Sequence, residues 1–553
     1  MKKKYLRIVT LLLTVCLLAG CGAAVPQETL PDDVDAAVSP IIDFSVPTFP
    51  ALEPPTAKFP LDDVPEVVVG PGLPLRKYNL VTDTTRLESP DGDMRYVMIY
   101  NPYVYDENNP YSNFSFNTGS FASQVEVDLN RGGLDTLPEM LGLDQGQLNA
   151  DLPLADIVQE SDRAGFYPPV YSQGDTRSFF CYDNTDLDNP RISREFTCAY
   201  AGTHCYVWIG DSSMSTSLAQ KYGEEFDTYV YDAVSTYFGQ PRFAEDGSKV
   251  HLMFYPMPSY IGGCFCLLDL FSSSEVTTDD IFTYGLNPDH PTLHMNADFT
   301  AYDSMQTYMR STMAHEFQHM IAGTNVFSTL DFNVCDTWLN EAMSGYIEET
   351  LYPGVKEESS GHLSAFLQSD RIRNGLSMYN FFSDGNDCGV YGSVYLYAEY
   401  LSALAGEDVF ANIHDYWRNS YSSTLSVPEA LVNSVPQDVY EAVDTCVPYP
   451  PVGLVFRNQN ERWLSKLTLQ FYLELLHLDA NDPAAFGAVI PEYLLYNEIN
   501  PATLEAGGRI IVALSGNSYQ IPADADTGLI YIGLNKDFEP VTDLVFHTNA
   551  NIP

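Results

Sequence analysis

The sequence predicts a multidomain α+β protein. Three observations support this. Its 553 residues allow more than one domain and a large buried core. Helical stretches with apolar residues at i, i+3 and i+4 spacing occupy its middle. Short strand-like runs, separated by turn clusters, lie on both sides of them.

Residues 1–20 read as a leader. Lys2, Lys3, Lys4 and Arg7 precede an apolar run from Ile8 to Leu18, too short for a comfortable membrane span. The run ends in Leu18-Ala19-Gly20-Cys21, which resembles the lipobox of bacterial lipoproteins. That resemblance implies cleavage before Cys21 and acylation of its thiol. The expected location is the outer face of the cytoplasmic membrane of a bacterium, since two acyl chains anchor where one would not. The alternative is an ordinary signal peptide with a chance cysteine.

Residues 21–75 contain Pro40, Pro47, Pro50, Pro54, Pro55, Pro60, Pro65, Pro71 and Pro74, and show little periodicity. They read as a tether, with a reach on the order of 40 Å as a flexible coil. Residues 76–200 read as a β-rich N-terminal domain, with strands at Tyr96–Tyr100 and Phe196–Tyr200. Whether this region is a removable propeptide is left open.

Residues 201–450 carry the mixed pattern of a catalytic domain. Strands are expected at His204–Ile209, Val250–Tyr255 and Thr292–Asn296, with an apolar run at Ile261–Phe271. Helices are expected at Leu218–Phe238, Ser304–Ala322, Thr337–Leu351 and Tyr391–Leu404. Residues 451–553 read as a helical segment, Trp463–Leu478, and a small C-terminal β-domain with strands at Arg509–Leu514 and Gly528–Leu534.

Composition narrows the function classes. Acidic residues outnumber basic ones 74 to 27, for a formal charge of -47. Such a chain repels nucleic acid and anionic headgroups, so no nucleic-acid partner is expected. Ten cysteines become eight without Cys16 and an acylated Cys21. Sequence does not choose between disulfides and buried thiols.

The chemistry centres on His315-Glu316-Phe317-Gln318-His319. Histidines four apart on a helix share a face and can reach one ion. The glutamate beside the first histidine then lies close to a zinc-bound water, as general base. A second helix follows with Trp338-Leu339-Asn340-Glu341-Ala342-Met343-Ser344, its Glu341 twenty-two residues past His319. Two histidines and one glutamate leave the fourth zinc position open for water and substrate.

These two motifs resemble the zinc-binding helices of gluzincin metallopeptidases. Within that group they are similar to the hyicolysin-type secreted neutral zinc peptidases of bacteria. The stretch Tyr200-Ala201-Gly202-Thr203-His204-Cys205-Tyr206-Val207-Trp208 and the helix with Glu224-Glu225-Phe226-Asp227 share the resemblance, over about residues 175–450. It implies His315, His319 and Glu341 as Zn2+ ligands and Glu316 as base and proton shuttle. It also implies a tyrosine or histidine at the start of a later helix as oxyanion donor, for which Tyr391 is the candidate. Asn340 is expected to hold the second helix, and Glu348 to support a ligand histidine. An aminopeptidase-like Gly-x-Met-x-Asn motif is not evident before His315, which favours cleavage inside polypeptide chains.

Other sites carry less. Gly262-Gly263-Cys264-Phe265 and His294-Met295-Asn296 read either as core strands or as a sheet edge that takes an extended substrate. His204 and His294 read as structural histidines. Asp279, Asp280, Asp298 and Asp303 lack the spacing of a calcium loop. The expected function is a zinc endopeptidase at the cell surface. Two alternatives stay open: a non-catalytic binding lipoprotein on a peptidase scaffold, and a metal-dependent hydrolase of cell-wall peptides.

Overall fold

The computed structural model describes residues 75–103, 168–273, 285–326, 337–368, 388–419, 427–446, 456–476 and 506–547, with short interruptions and a few isolated residues besides. The leader, Cys21 and the Pro-rich stretch before Leu75 lie outside the described residues. The chain divides into two compact units. The first takes its described residues from Asp144–Ser328 and Ile347–Gly361, the second from Ala57–Leu143, Thr329–Tyr346 and His362–Pro553.

The expected N-terminal β-domain is itself divided. Strands β1 (Arg86–Glu88) and β2 (Met94–Tyr100) belong to the second unit; β3 (Thr176–Cys181) and β4 (Ile192–Ala201) belong to the first. The reason is visible in β2, which is buried continuously from Val97 to Tyr100. A strand covered on both faces and both edges needs two neighbours. Those neighbours come from the far end of the chain.

In the first unit, β5 (Cys205–Gly210), β6 (Val250–Tyr255), β7 (Gly263–Phe265) and β8 (Thr292–Asn296) complete a six-stranded sheet of order β3-β4-β5-β6-β8-β7. β5, β6 and β8 run parallel, and the remaining pairs are antiparallel. Every residue of β6 and β8 is buried, as in strands covered on both faces, including the polar His251, Thr292, His294 and Asn296. The Ile261–Phe271 run is not one strand. It is the short β7 followed by a 3-10 turn at Leu267–Leu270.

A parallel β5–β6 pair needs a crossover, and the expected helix supplies it. It runs as α1 (Thr216–Glu225), a π-helical turn at Phe226–Val230, and α2 (Tyr231–Phe238). Ser215 caps its start, accepting from Leu218 N at 3.1 Å. The π turn presents Asp227. Its carboxylate accepts from the backbone N–H groups of Thr203 (2.5 Å), His204 (2.8 Å) and Cys205 (3.1 Å) and from Tyr200 Oη (3.0 Å). This close approach requires a glycine at 202, where a Cβ would stand 1.9 Å from Asp227 Oδ2. His204 is half-buried and stacks on Tyr231.

Helix α3 (Gln306–Val326) packs against this sheet and crossover. From Ser311 to Asn325 every residue is buried, so the helix is enclosed on all sides. Phe317 meets Phe226 and Tyr231 on one side. On another, a Cβ at Gly262 or Gly263 would stand 2.7 Å from Tyr308 or 2.9 Å from Thr312. The glycine pair therefore lets the edge strand β7 approach α3 closely. Arg310 anchors the helix through Glu225, its Nε 2.6 Å from Oε1. Helix α4 (Thr337–Leu351) follows, and the division between the units falls within it.

Beneath the sheet, His294 bridges Asp269 (2.9 Å) and Tyr255 (2.9 Å), while Arg191 grips both oxygens of Asp269. Burial first, then the Arg191 guanidinium, act on Asp269 in opposite directions, and its carboxyl ends below its usual range. Burial lowers His294. His294 is thus a structural histidine.

In the second unit, α5 (His362–Gln368), α6 (Cys388–Ala405), α7 (Asp408–Asn419), α8 (Val427–Ser434), α9 (Gln437–Cys446) and α10 (Gln459–Leu475) precede β9 (Arg509–Ala513), β10 (Ser518–Gln520), β11 (Ile530–Asn535) and β12 (Val545–His547). The sheets are β11-β2-β9 and β10-β1-β12, so the first two described strands lie at the centre, one in each. Val97, Ile99, Ile510, Leu529 and Tyr531 form part of their shared core. Arg76 is buried and pairs with Glu474 (2.9 Å) and with Glu539. Among the described residues, Cys181, Cys198, Cys205, Cys264, Cys266 and Cys446 are free, buried thiols. No described helix is long and apolar enough to cross a membrane.

Candidate active site

Helix α3 places His315 and His319 one turn apart on one face. Their Nε2 atoms approach to 2.9 Å, with the rings nearly perpendicular. Two nitrogens that converge on one point are poised for one ion, since a tetrahedral site with bonds of about 2.0–2.1 Å sets them little more than 3 Å apart. Glu341, on α4, completes the set. One donor atom from each of His315, His319 and Glu341 lies within 4.8 Å of the other two, and all three residues are buried. Two imidazoles and a carboxylate are the donor set of a catalytic zinc, and suit it better than the all-oxygen ligands of calcium or magnesium. The residues present therefore fit zinc.

Glu316 is fully buried beside His315. It faces β7: burial first, and then the Glu316 carboxylate, push the Cys264 thiol well above its ordinary range. A thiol held protonated in this way is a poor nucleophile, which agrees with a supporting place for Cys264.

Glu348 lies two turns past Glu341 on α4. Its Oε1 stands 3.4 Å from His315 Nδ1. Its Oε2 pairs with Lys356 Nζ, and Lys356 is itself buried. The neighbouring Glu349 accepts from Gly354 N at 2.7 Å and Lys356 N at 2.9 Å. Gly354 has φ +90°, the left-handed conformation that lets the chain turn back over the helix end.

The other predicted residues are placed as follows. Asn340 precedes Glu341 on α4 and is half-buried. Tyr391 was expected to open a helix. It sits one turn inside α6, which begins at Cys388, and its buried ring stacks on His362 at 5.0 Å. Asp279, Asp280 and Asp303 lie outside the described residues. Sequence reasoning missed Lys356 and Glu349. The only signal available was Pro353-Gly354 marking a turn after a helix; nothing in that turn says which buried group the next lysine meets.

No protein-family model matches the chain. It is 26% identical over 275 residues to the neutral metalloprotease ShpI of Staphylococcus hyicus. The alignment covers 48% of this chain and 58% of that protein, so the chain spans less than two thirds of the relative's length. This similarity to a metalloprotease accords with the donor set on α3 and α4.

Proposed function

We propose that this chain is a zinc-dependent endopeptidase. The observation that carries the reading is the convergence of one donor atom each from His315, His319 and Glu341 within 4.8 Å, with Glu316 next to the first of them. Zinc bound there would supply Lewis acidity and a water acidic enough to be deprotonated near neutral pH. Glu316 takes that water's proton and later delivers it to the leaving amine. Its full burial keeps the carboxylate out of bulk water, so the proton goes to substrate rather than solvent. Tyr391 donates to the oxyanion of the tetrahedral intermediate, by resemblance to related gluzincins. β7, drawn close to α3 by Gly262 and Gly263 and last in the sheet order among the described strands, is the edge along which an extended polypeptide would add.

The lipobox-like Leu18-Ala19-Gly20-Cys21 supports a lipid anchor at Cys21 and action on polypeptides at a bacterial cell surface. The test is zinc content and casein cleavage on one purified sample, with and without a chelator. About one zinc per chain with chelator-sensitive cleavage is expected. Zinc with cleavage of peptidoglycan peptides but not casein moves the reading to a cell-wall hydrolase. Absence of both zinc and cleavage moves it to a binding protein.

A further inference from the structure

We propose that Lys356 is a positioning residue for the metal centre, acting through Glu348 on His315. This rests on the zinc reading of the site. The geometry is a relay of three buried groups within the first unit: Lys356 Nζ on Glu348 Oε2, then Glu348 Oε1 3.4 Å from His315 Nδ1.

A glutamate side chain alone would hold this place poorly. Its terminal torsion is broad, and its two oxygens are equivalent. Lys356 distinguishes them. With one oxygen occupied by the ammonium, the other is turned toward the imidazole. At 3.4 Å the carboxylate stands at ion-pair rather than hydrogen-bond distance from Nδ1; on that side of the ring it favours the tautomer that leaves the Nε2 lone pair for an ion.

Lys356 is in turn fixed by its backbone. Its N–H and that of Gly354 both donate to Glu349, which immediately follows Glu348 on α4. Val355 N donates to Tyr352 O at 3.1 Å, and Tyr352 N to Glu348 O at 2.8 Å. The turn after the helix is thereby tied to the helix end, and the lysine points back along it. The same two-residue step on α4 supplies both the carboxylate that is positioned and the one that holds the positioner.

The energetics favour a positional role over a stabilising one. Burying an ammonium and a carboxylate costs several kcal/mol per ion by desolvation, and an apolar pair of like volume is often as stable. Lys356 is 1% exposed and Glu348 4%. A pair of that kind fits a place where the direction of the carboxylate matters. Sequence reading finds the glutamate, since it shares a helix face with Glu341, but not the lysine beyond the helix end.

The experiment measures zinc affinity by competition with a chelator, on full-length folded protein, for wild type, Lys356→Met, Lys356→Arg, Glu348→Leu and the double variant Glu348→Leu/Lys356→Met. Loss of a group that orients a ligand weakens metal binding by roughly 10–100-fold. Lys356→Met should fall in that range, and Lys356→Arg should recover most of the loss. The double variant should bind zinc as weakly as Glu348→Leu and no more weakly, because the lysine acts only through the glutamate. It also leaves no buried charge alone, so it remains informative where Lys356→Met does not fold. Wild-type affinity in Lys356→Met, wild-type affinity in the double variant, or fully additive losses would each overturn the proposal. Zinc affinity separates this from the catalytic reading. Wild-type protein that binds zinc but cleaves nothing overturns the peptidase reading alone, whereas wild-type protein that binds no zinc overturns both.

Discussion

Glu348 Oε1 lies 3.4 Å from His315 Nδ1, on the same helix as Glu341 and seven residues further along it. Residues seven apart on an α-helix face the same way. One face of α4 thus presents a carboxylate to the candidate metal site and a second to the His315 imidazole. The two should behave differently when removed. Glu341→Ala deletes a ligand, and zinc should fall to a small fraction of one per chain by elemental analysis after dialysis. Full occupancy would mean that another residue is the third ligand.

In the proposed mechanism Glu316 serves as the base and is no part of the donor set, which among the described residues is His315, His319 and Glu341. Glu316→Gln keeps the volume and removes the base. Zinc content should stay near wild type, while the rate falls by at least about 10²–10⁴-fold, the usual worth of a general acid–base group. A near-normal rate of casein cleavage would sink the proposed proton transfer.

Tyr391 is tested by its hydroxyl. Its ring stacks on His362 and stays there in Tyr391→Phe, so the fold should be unaffected. An oxyanion donor acts mainly in the transition state. The variant should therefore lose on the order of 10²-fold in kcat with little change in KM. An unchanged kcat would move the oxyanion donor to another residue.

The parts of this architecture that sequence reading finds are those governed by local pattern. Val250–Tyr255 and Thr292–Asn296 match β6 and β8 residue for residue: each strand is buried throughout, β6 is apolar apart from His251, and in β8 Leu293 and Met295 alternate with the buried polar Thr292, His294 and Asn296. Thr337–Leu351 matches α4. The two histidines are legible because helical spacing alone brings them together. Pairing across long sequence distances is not legible. Nothing in Met94–Tyr100 says that its partners are Arg509–Ala513 and Ile530–Asn535, so residues 76–200 looked like a domain of their own. A π turn also escapes detection, since one extra residue per turn barely disturbs an apolar period over Leu218–Phe238.

That π turn has its own consequence. Asp227 gathers three backbone N–H groups and a tyrosine hydroxyl, and Gly202 leaves room for it. Gly202→Ala would drive a methyl into the carboxylate and into Tyr200, whose Cε1 would be 2.3 Å away. The expected cost is about 1–3 kcal/mol of stability, read as a lowered urea midpoint. An unchanged midpoint would show that the strand can shift away from α1 freely.

Acid should loosen the first unit before it titrates ordinary carboxylates. His290 Nε2 lies 2.7 Å from Tyr171 Oη, its Nδ1 lies 2.5 Å from Pro288 O, and Arg177 donates to the same tyrosine oxygen. Both ring nitrogens are committed with a single proton between them: Nδ1–H donates to the carbonyl, and Nε2 accepts. Burial first, then the Arg177 guanidinium, hold the imidazole down at about 4, against 6.5 in the unfolded chain. Between those values the unfolded chain binds the extra proton and the folded one does not. The stabilisation is therefore complete above about pH 6.5 and is lost as pH falls toward 4. At 1.36 kcal/mol per unit, the full window is worth about 3 kcal/mol as an order of magnitude. Falling charge works the other way on a chain of formal charge -47, since protonating carboxylates relieves repulsion, but that relief sets in mainly near and below pH 4–4.5. Urea midpoints of the wild type should thus drop between pH 6.5 and 5. His290→Gln, which cannot take the proton, should flatten that drop while lowering the midpoint at pH 7. Equal slopes in the two proteins would place the acid sensitivity elsewhere in the unit, with His251, which burial first and then the neighbouring His290 hold well below its ordinary range, as the next residue to replace.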